Sequence, residues 1–289
     1  MFASLAIAAS IVGTGPVTVA EWRTACAGKD GWSDPAPPLH IFANVYDVGT
    51  CGITALLITS DDGHVLLDAA TAEAAPSIAA NIQRLGFKLG DVKLIGGSHE
   101  HLDHVGGIAE LQRLTGATVM TVPAAFVAYE SGEVDKADPQ VGLHEPFPGS
   151  KVGRMLFDGE PVRLGPLKIT PHATPGHAPG STSWSWRSCE GEGRAKRCLD
   201  IVYADSVSAL SGDAYRFRDH DRYVDAFRDS LRKIDRLDCD LLITPHPGAS
   251  NFIDRLEGKA PLLDHNACKT YAANGRKALD ERLAREKGK

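Results

Sequence analysis

The sequence lacks a surplus of basic residues. Among its 289 residues, 31 Lys and Arg stand against 37 Asp and Glu, so the formal net charge is −6. Proteins that attract nucleic acids or anionic membranes electrostatically carry the opposite balance. We therefore expect neither a nucleic acid nor a membrane as a partner. The hydrophobic share of 43% and the charged share of 24% are typical of a globular chain that buries a core.

Long apolar runs are also absent, apart from a short one at the amino terminus. Residues 1–20 carry no charged side chain, and an apolar stretch from Phe2 to Val12 is followed by small residues that end at Ala20. This stretch is too short to span a membrane and is typical of a secretory signal peptide. We expect cleavage near Ala20, export to the periplasm and a single domain over residues 21–289. The alternative is an N-terminus that packs on the core or has no fixed structure.

No C-x-x-C pair is present, which disfavours a structural zinc ribbon. The chain has six cysteines, and an even count in an exported protein suggests disulfides. Six cysteines allow many connectivities, and reduced buried thiols are the alternative if the chain is not exported. The cysteines are Cys26, Cys51, Cys189, Cys198, Cys239 and Cys268.

Hydrophobic periodicity predicts strands followed by helices in each half of the chain. In the first half we predict a hairpin from Ile53 to Leu67, a helix opened by Pro76, a strand over 92–95 and a helix over 108–114. In the second half we predict strands over 167–173, 183–186, 201–204 and 241–244, and helices over 222–237 and from Asn266 onward. This order suggests an α/β fold in which two sheets pack face to face with helices outside.

Three histidines and an aspartate lie within six positions of the chain. Imidazole nitrogens and carboxylate oxygens are good zinc ligands. Four ligands in so short a segment do not wrap a single tetrahedral ion comfortably, so we expect two adjacent ions and further ligands from elsewhere. If extended, the first two histidines point to the same side, while the last two ligands enter a helix. The cluster is His99, His101, Asp103 and His104, and two more histidines, His177 and His246, follow predicted strands among Gly and Pro.

The remaining histidines fit a role outside this site better. They are His40, His64, His144, His172, His220 and His265.

These motifs resemble a known family. The run His99-x-His101-x-Asp103-His104, together with Thr174-Pro-Gly-His177 and Pro245-His246, resembles the metallo-β-lactamase fold. The stretch Tyr203-Ala-Asp-Ser206-Val-Ser208 is similar to the third, histidine-rich subclass of class B β-lactamases, and Ser206 stands where other subclasses have a cysteine ligand. The resemblance implies an αββα sandwich and two Zn²⁺ ions. It implies that the first ion is held by His99, His101 and His177, and the second by Asp103, His104 and His246.

The same resemblance implies a β-lactamase. A metal-held hydroxide would open the β-lactam amide of penicillins, cephalosporins and carbapenems, with Asp103 orienting the nucleophile. Ser206 and Ser208 would supply hydroxyls for the substrate carboxylate, and Gln140 a further contact from a loop over the site. Glu100 would add negative charge near the metals. We expect a monomer that confers antibiotic resistance and has three sequential disulfides: Cys26–Cys51, Cys189–Cys198 and Cys239–Cys268.

Other functions remain open from the residues alone. A hydrolase of the same fold could act on a thioester or lactone, as glyoxalase II and lactonases do. Such enzymes commonly have an aspartate that bridges the two zinc ions at the position near Ser206, and Asp205 is one residue away. A metal-binding protein without catalysis is disfavoured because the six ligands leave coordination positions open. No G-x-S-x-G elbow is present, so a serine nucleophile of that type is not expected.

Overall fold

The computed structural model describes residues 14–287, so most of the predicted signal peptide lies outside the described residues. Residues 14–20 contact the body of the protein. Gly15 donates its N–H to the Arg84 carbonyl at 2.7 Å, and Thr18 caps the first helix in a reciprocal pair with Glu21. Cleavage near Ala20 would remove both contacts. The cleavage position stays a prediction.

Residues 14–287 form eight helices and twelve strands, besides short 3₁₀ turns. The helices are α1 (Val19–Ala25), α2 (Ala75–Arg84), α3 (Leu102–Val105), α4 (Ile108–Thr115), α5 (Phe126–Ser131), α6 (Asp221–Asp235), α7 (Phe252–Leu256) and α8 (Ala267–Glu286). The strands are β1 (Leu39–Phe42), β2 (Val45–Asp47), β3 (Leu56–Ile58), β4 (His64–Leu67), β5 (Val92–Gly96), β6 (Thr118–Thr121), β7 (Val152–Met155), β8 (Val162–Leu164), β9 (Leu167–Ala173), β10 (Thr182–Glu190), β11 (Arg197–Tyr203) and β12 (Leu241–Ile243).

The strands form two mixed sheets. The first has seven strands in chain order, β1 to β7, antiparallel as far as β4 and parallel beyond it. The second has five strands in the order β12-β11-β10-β9-β8, and only β11 and β12 pair in parallel. Trp184 of β10 joins the two sheets, because its ring packs against Gly96 of β5 and its indole N–H donates to the Gly97 carbonyl at 3.1 Å. The predicted two-sheet α/β sandwich is confirmed.

The predicted hairpin is present, but its first strand is shorter than the apolar run. The run from Ile53 to Thr59 contributes only β3 to the ladder, which pairs with β4 in antiparallel register. The Thr54 N–H instead donates to the Pro245 carbonyl at 2.8 Å. This contact with a distant loop lies before β3, which begins only at Leu56, and it brings the segment before β3 close to the turn that carries His246.

The predicted metal ligands follow strands that end at one edge of the sandwich. His99 comes after β5, His177 after β9 and His246 after β12. β11 runs antiparallel to β10, which runs antiparallel to β9, and parallel to β12, so β9, β11 and β12 share one direction. Their carboxyl ends therefore meet at a common edge, where ligand sites of α/β sheets commonly lie.

Three disulfides link separate segments of the chain. The three disulfides are Cys26–Cys51, Cys189–Cys198 and Cys239–Cys268, which is the sequential pairing. The middle one joins residues that face each other across β10 and β11, and the last ties the segment before β12 to the first turn of α8. None of the helices within residues 14–287 is long and apolar enough to cross a bilayer.

Candidate metal centre

The histidine cluster lies in a bent loop between β5 and α3. Residues 98–101 form consecutive bends rather than the extended segment expected from the sequence, and α3 begins directly after His101. The rings of His99 and His101 nevertheless meet edge to face, with centroids 4.6 Å apart. As expected, Asp103 and His104 lie on the helix that follows, so the motif presents its ligands from two short elements.

A first set of donors consists of His99, His101 and His177. One ring nitrogen from each of the three lies within 4.8 Å of the others, and all three side chains are buried. His177 reaches this set from the turn after β9, which is tightened by a hydrogen bond from the Gly176 N–H to the Ala178 carbonyl. The structure thus brings together the three residues predicted for the first ion.

A second set adjoins the first and consists of Asp103, His104 and His246. Asp103 Oδ2 lies 3.2 Å from His104 Nε2 and 3.4 Å from His246 Nε2, and the two imidazole nitrogens are 3.3 Å apart. The His99 and His104 ring centroids are 4.1 Å apart, which places the two sets side by side. The three residues predicted for the second ion therefore also converge.

Partners behind the histidines determine which nitrogen each ring presents to the centre. His99 Nδ1 donates to Asp205 Oδ1 at 2.8 Å, His101 Nε2 to Asp138 Oδ2 at 3.0 Å and His104 Nδ1 to Asp68 Oδ2 at 3.0 Å. His177 Nδ1 donates to the Ser208 carbonyl at 3.1 Å. Carboxylates and carbonyls in this position hold the ring orientation and tautomer of metal-binding histidines. In each of these rings the second nitrogen is left to face the centre.

The electrostatics keep most of these rings neutral. Burial, followed by the surrounding histidines, lowers the pKa of His99 well below its ordinary value, and burial lowers the pKa of His177 to about 3. Burial and the neighbouring His104 lower the pKa of His246 to about 4. Neutral imidazole is the form that binds a metal ion, so these three rings can bind without first losing a proton.

Charge is concentrated on the Asp103–His104 pair. Burial lowers the pKa of His104, but the adjacent carboxylates of Asp103 and Asp68 outweigh burial and raise it to about 10. Burial in turn raises the pKa of Asp103, and the surrounding histidines outweigh it, so the carboxyl stays ionised far below neutral pH. An anionic oxygen beside two imidazoles is suited to a divalent cation.

The donor set fits zinc. His99 Nε2 is fully buried and has no hydrogen-bond partner within the described residues, which is costly for a polar atom unless a ligand binds there. The six donors are five imidazole nitrogens and one carboxylate oxygen, a combination that zinc prefers. All six cysteines are in disulfides and contribute no ligand.

The predicted substrate-contacting residues lie around this centre. Ser206 and Ser208 line a cavity of about 360 Å³ together with His246, and residues of α8 form its opposite wall. The Ser208 hydroxyl also lies 2.9 Å from His177 Nδ1, so this residue supports a ligand as well. Gln140 is buried, with its amide nitrogen 3.2 Å from His177 Nε2, and therefore borders the first set.

The sequence did not predict the roles of four residues of this site. Asp68 and Asp138 hold His104 and His101, and Asp205 lies behind His99. His144, expected outside the site, has its ring 4.8 Å from that of His101. The sequence offers one signal for Asp68 and Asp205. Asp68 directly follows strand β4, and Asp205 follows Ala204, the buried residue after strand β11. The sequence offers no comparable signal for Asp138 and His144, which lie on a loop between α5 and β7.

Comparisons with known proteins find relatives that match most of the chain. Residues 48–190 match the model of the metallo-β-lactamase superfamily. The crystal structure of the metallo-β-lactamase MIM-1 from Novosphingobium pentaromativorans is 50% identical, with a TM-score of 0.89, and the match covers 92% of this chain and 98% of that one. MEM-A1, a subclass B3 metallo-β-lactamase from a soil metagenome library, is 41% identical with a TM-score of 0.84, covering 89% of this chain and 99% of that one.

One curated relative is a hydrolase with a different name. A hydroxyacylglutathione hydrolase of Rhodopseudomonas palustris is 34% identical over 128 residues, which make up 42% of this chain and 41% of the relative. The chain spans less than half the length of the curated relatives it matches. The full-length similarity is therefore to the solved structures.

Proposed function

The chain belongs to the subclass B3 metallo-β-lactamases, and we propose that it hydrolyses the amide bond of β-lactam rings at a centre of two zinc ions. Its substrates in this proposal are penicillins, cephalosporins and carbapenems, and its hydrolysis of them confers antibiotic resistance. The observation that carries the proposal is the convergence of six donors in two adjoining sets of three.

Each part of the centre has a role in this reaction. Zinc ions bound in the two sets would polarise the amide carbonyl and lower the pKa of a water ligand towards neutrality. The ionised Asp103 carboxylate, next to His104 and His246, orients that water for attack on the ring carbonyl. The hydroxyls of Ser206 and Ser208 bind the carboxylate that β-lactams carry beside the ring nitrogen, and the adjoining cavity takes the substituent next to it.

The position of Asp205 argues against the thioester or lactone hydrolase. In that alternative an aspartate near this position bridges the two ions. Here the Asp205 carboxylate accepts a hydrogen bond from His99 Nδ1, on the side of the ring that faces away from the donor sets. Asp205 therefore supports a ligand and leaves the space between the two sets open.

Turnover of a chromogenic cephalosporin tests the proposal. The purified protein should open the ring, lose activity when a chelator removes the metal and regain it when zinc is added back. A glutathione thioester assayed in parallel should be left essentially unchanged, because Asp205 is bound to His99 Nδ1 instead of bridging the two sets. Rapid thioester hydrolysis without cephalosporin turnover would replace the proposal with the glyoxalase II-like alternative.

Ser206→Ala separates substrate binding from chemistry. Loss of one hydrogen bond to a charged group should raise KM by about tenfold and leave kcat nearly unchanged, because the carboxylate contact is the same in ground and transition states. Ser208→Ala should act in the same direction, since the Ser208 carbonyl still holds His177. Ser77→Ala, on the distant helix α2, serves as the control. A fall in kcat at constant KM would place Ser206 in the chemical step instead.

We also propose that the protein is exported to the periplasm and acts there as a monomer after removal of the N-terminal signal peptide. The support is the apolar, uncharged N-terminal segment and the complete pairing of all six cysteines, because disulfides persist in oxidising compartments. The intact mass of protein recovered from the periplasm would give the cleavage site.

A further inference from the structure

Glu100 stands between the ligands His99 and His101, yet its carboxyl group is occupied elsewhere. The side chain is buried, and Oε1 accepts a hydrogen bond from the Gly180 N–H at 2.7 Å. Gly180 belongs to the loop that carries the third ligand of the first set, His177. The Glu100 side chain therefore connects the two loops from which the first donor set is built.

The backbone makes a second connection beside this one. The Ser98 carbonyl accepts a hydrogen bond from the Thr182 N–H at 2.6 Å, and the Thr182 hydroxyl donates to the Gly180 carbonyl at 2.9 Å. Gly180 and Thr182 are thus tied to Glu100 and Ser98, the residues on either side of His99. The short turn between His177 and Gly180 is itself held by a hydrogen bond from the Ala178 N–H to the Ser181 hydroxyl at 3.1 Å. A shift of Gly180 would consequently move His177.

The absence of a side chain at Gly180 is a condition for this contact. A Cβ atom at this position would lie 2.6 Å from Glu100 Oε2 and 2.4 Å from the Ala125 Cβ, both far inside van der Waals contact. The carboxyl group thus fits only because residue 180 is a glycine. Substitutions at Gly180 and at Glu100 therefore test the same contact from its two sides.

We propose that Glu100 is a positioning residue, which fixes His177 relative to His99 and His101 by binding the Gly180 N–H. It acts through the geometry of the first donor set and does not contact the substrate. The inference rests on the proposed function only in that this set binds zinc. It differs from the expectation that Glu100 contributes negative charge to the metals, because the hydrogen-bond acceptor, rather than the charge, does the work.

Zinc affinity of the first set is the direct readout. It can be measured by competition with a chromogenic chelator in a His246→Ala background, where the second set lacks one ligand. Loss of an outer partner typically weakens metal binding about 10- to 100-fold, so Glu100→Ala and Gly180→Ala should each do so. Glu100→Gln keeps an acceptor oxygen and should bind zinc within about threefold of the parent, a change smaller than that range. Glu110→Ala, an exposed carboxylate on α4, should change nothing.

The outcomes separate the possible explanations. Parental zinc affinity in folded Glu100→Ala protein would overturn the inference, and so would a loss in Glu100→Gln as large as in Glu100→Ala, since the charge would then matter. Circular dichroism of the metal-free variants checks folding. If Glu100→Ala does not fold, Gly180→Ala tests whether the Glu100–Gly180 contact matters, and Glu100→Gln tests whether the charge of Glu100 matters. Wild-type protein that binds zinc but leaves β-lactams intact would contradict the proposed function without touching this inference.

Discussion

Asp103→Asn protein should remain folded, keep the first zinc ion, lose the second and lose about 100-fold or more of its kcat towards β-lactams. The Asp103 carboxylate lies within 3.4 Å of both His104 Nε2 and His246 Nε2, so it is part of the second donor set. The neutral amide has nearly the same shape but lacks the charge that binds the cation and orients the attacking water. Metal analysis after dialysis against zinc and steady-state kinetics measure the two effects.

A structural role for Asp103 would give a different result. Activity would then fall only in proportion to the fraction of folded protein, and two zinc ions per folded chain would be retained. Asp61→Asn, an exposed aspartate in the turn before β4, is the matched control and should behave as wild type. If folded Asp103→Asn protein with two zinc ions turned over a carbapenem at near wild-type kcat, the proposed mechanism would be wrong.

Asp68→Asn should weaken binding of the second zinc ion by about 10- to 100-fold. The Asp68 carboxylate is fully buried and accepts four hydrogen bonds: from the Ser98 N–H at 2.5 Å, the Ser98 hydroxyl at 2.7 Å, the Tyr203 hydroxyl at 2.8 Å and His104 Nδ1 at 3.0 Å. An amide offers one acceptor oxygen in place of two and carries no charge, so it holds the His104 Nδ1–H more weakly than the carboxylate does. The substitution should not strain the backbone, because Asp68 has a φ of 66° and asparagine tolerates this left-handed conformation.

Tyr203→Phe is the matched control for Asp68. It removes one donor from the same carboxylate but leaves the contact with His104 in place. We expect lower stability of the metal-free protein, measured by thermal unfolding, and unchanged affinity for the second zinc ion, measured by titration. Equal affinity losses in both variants would mean that the whole buried network, rather than the Asp68–His104 contact, controls the second site.

Local sequence patterns predicted the longer elements well and several short strands poorly. The predicted strand over 167–173 coincides with β9, and the helix predicted over 222–237 is α6, because an apolar period continues over the whole element in both. Strands β6, β7 and β8 were not predicted. They have three or four residues each and depend on neighbouring strands for their hydrogen bonds, so the local pattern carries little information.

The six residues predicted as metal donors can be identified from the sequence alone. Their residue types and the close spacing of His99, His101, Asp103 and His104 are local properties, and the family motifs extend them to His177 and His246. The residues that hydrogen-bond these histidines from behind depend on the tertiary structure. Asp68, Asp138 and Asp205 lie 36, 37 and 106 residues from the histidines that they hold. An aspartate looks the same in a sequence whether it is solvated or buried, and burial arises only when the two sheets pack and their strand ends meet.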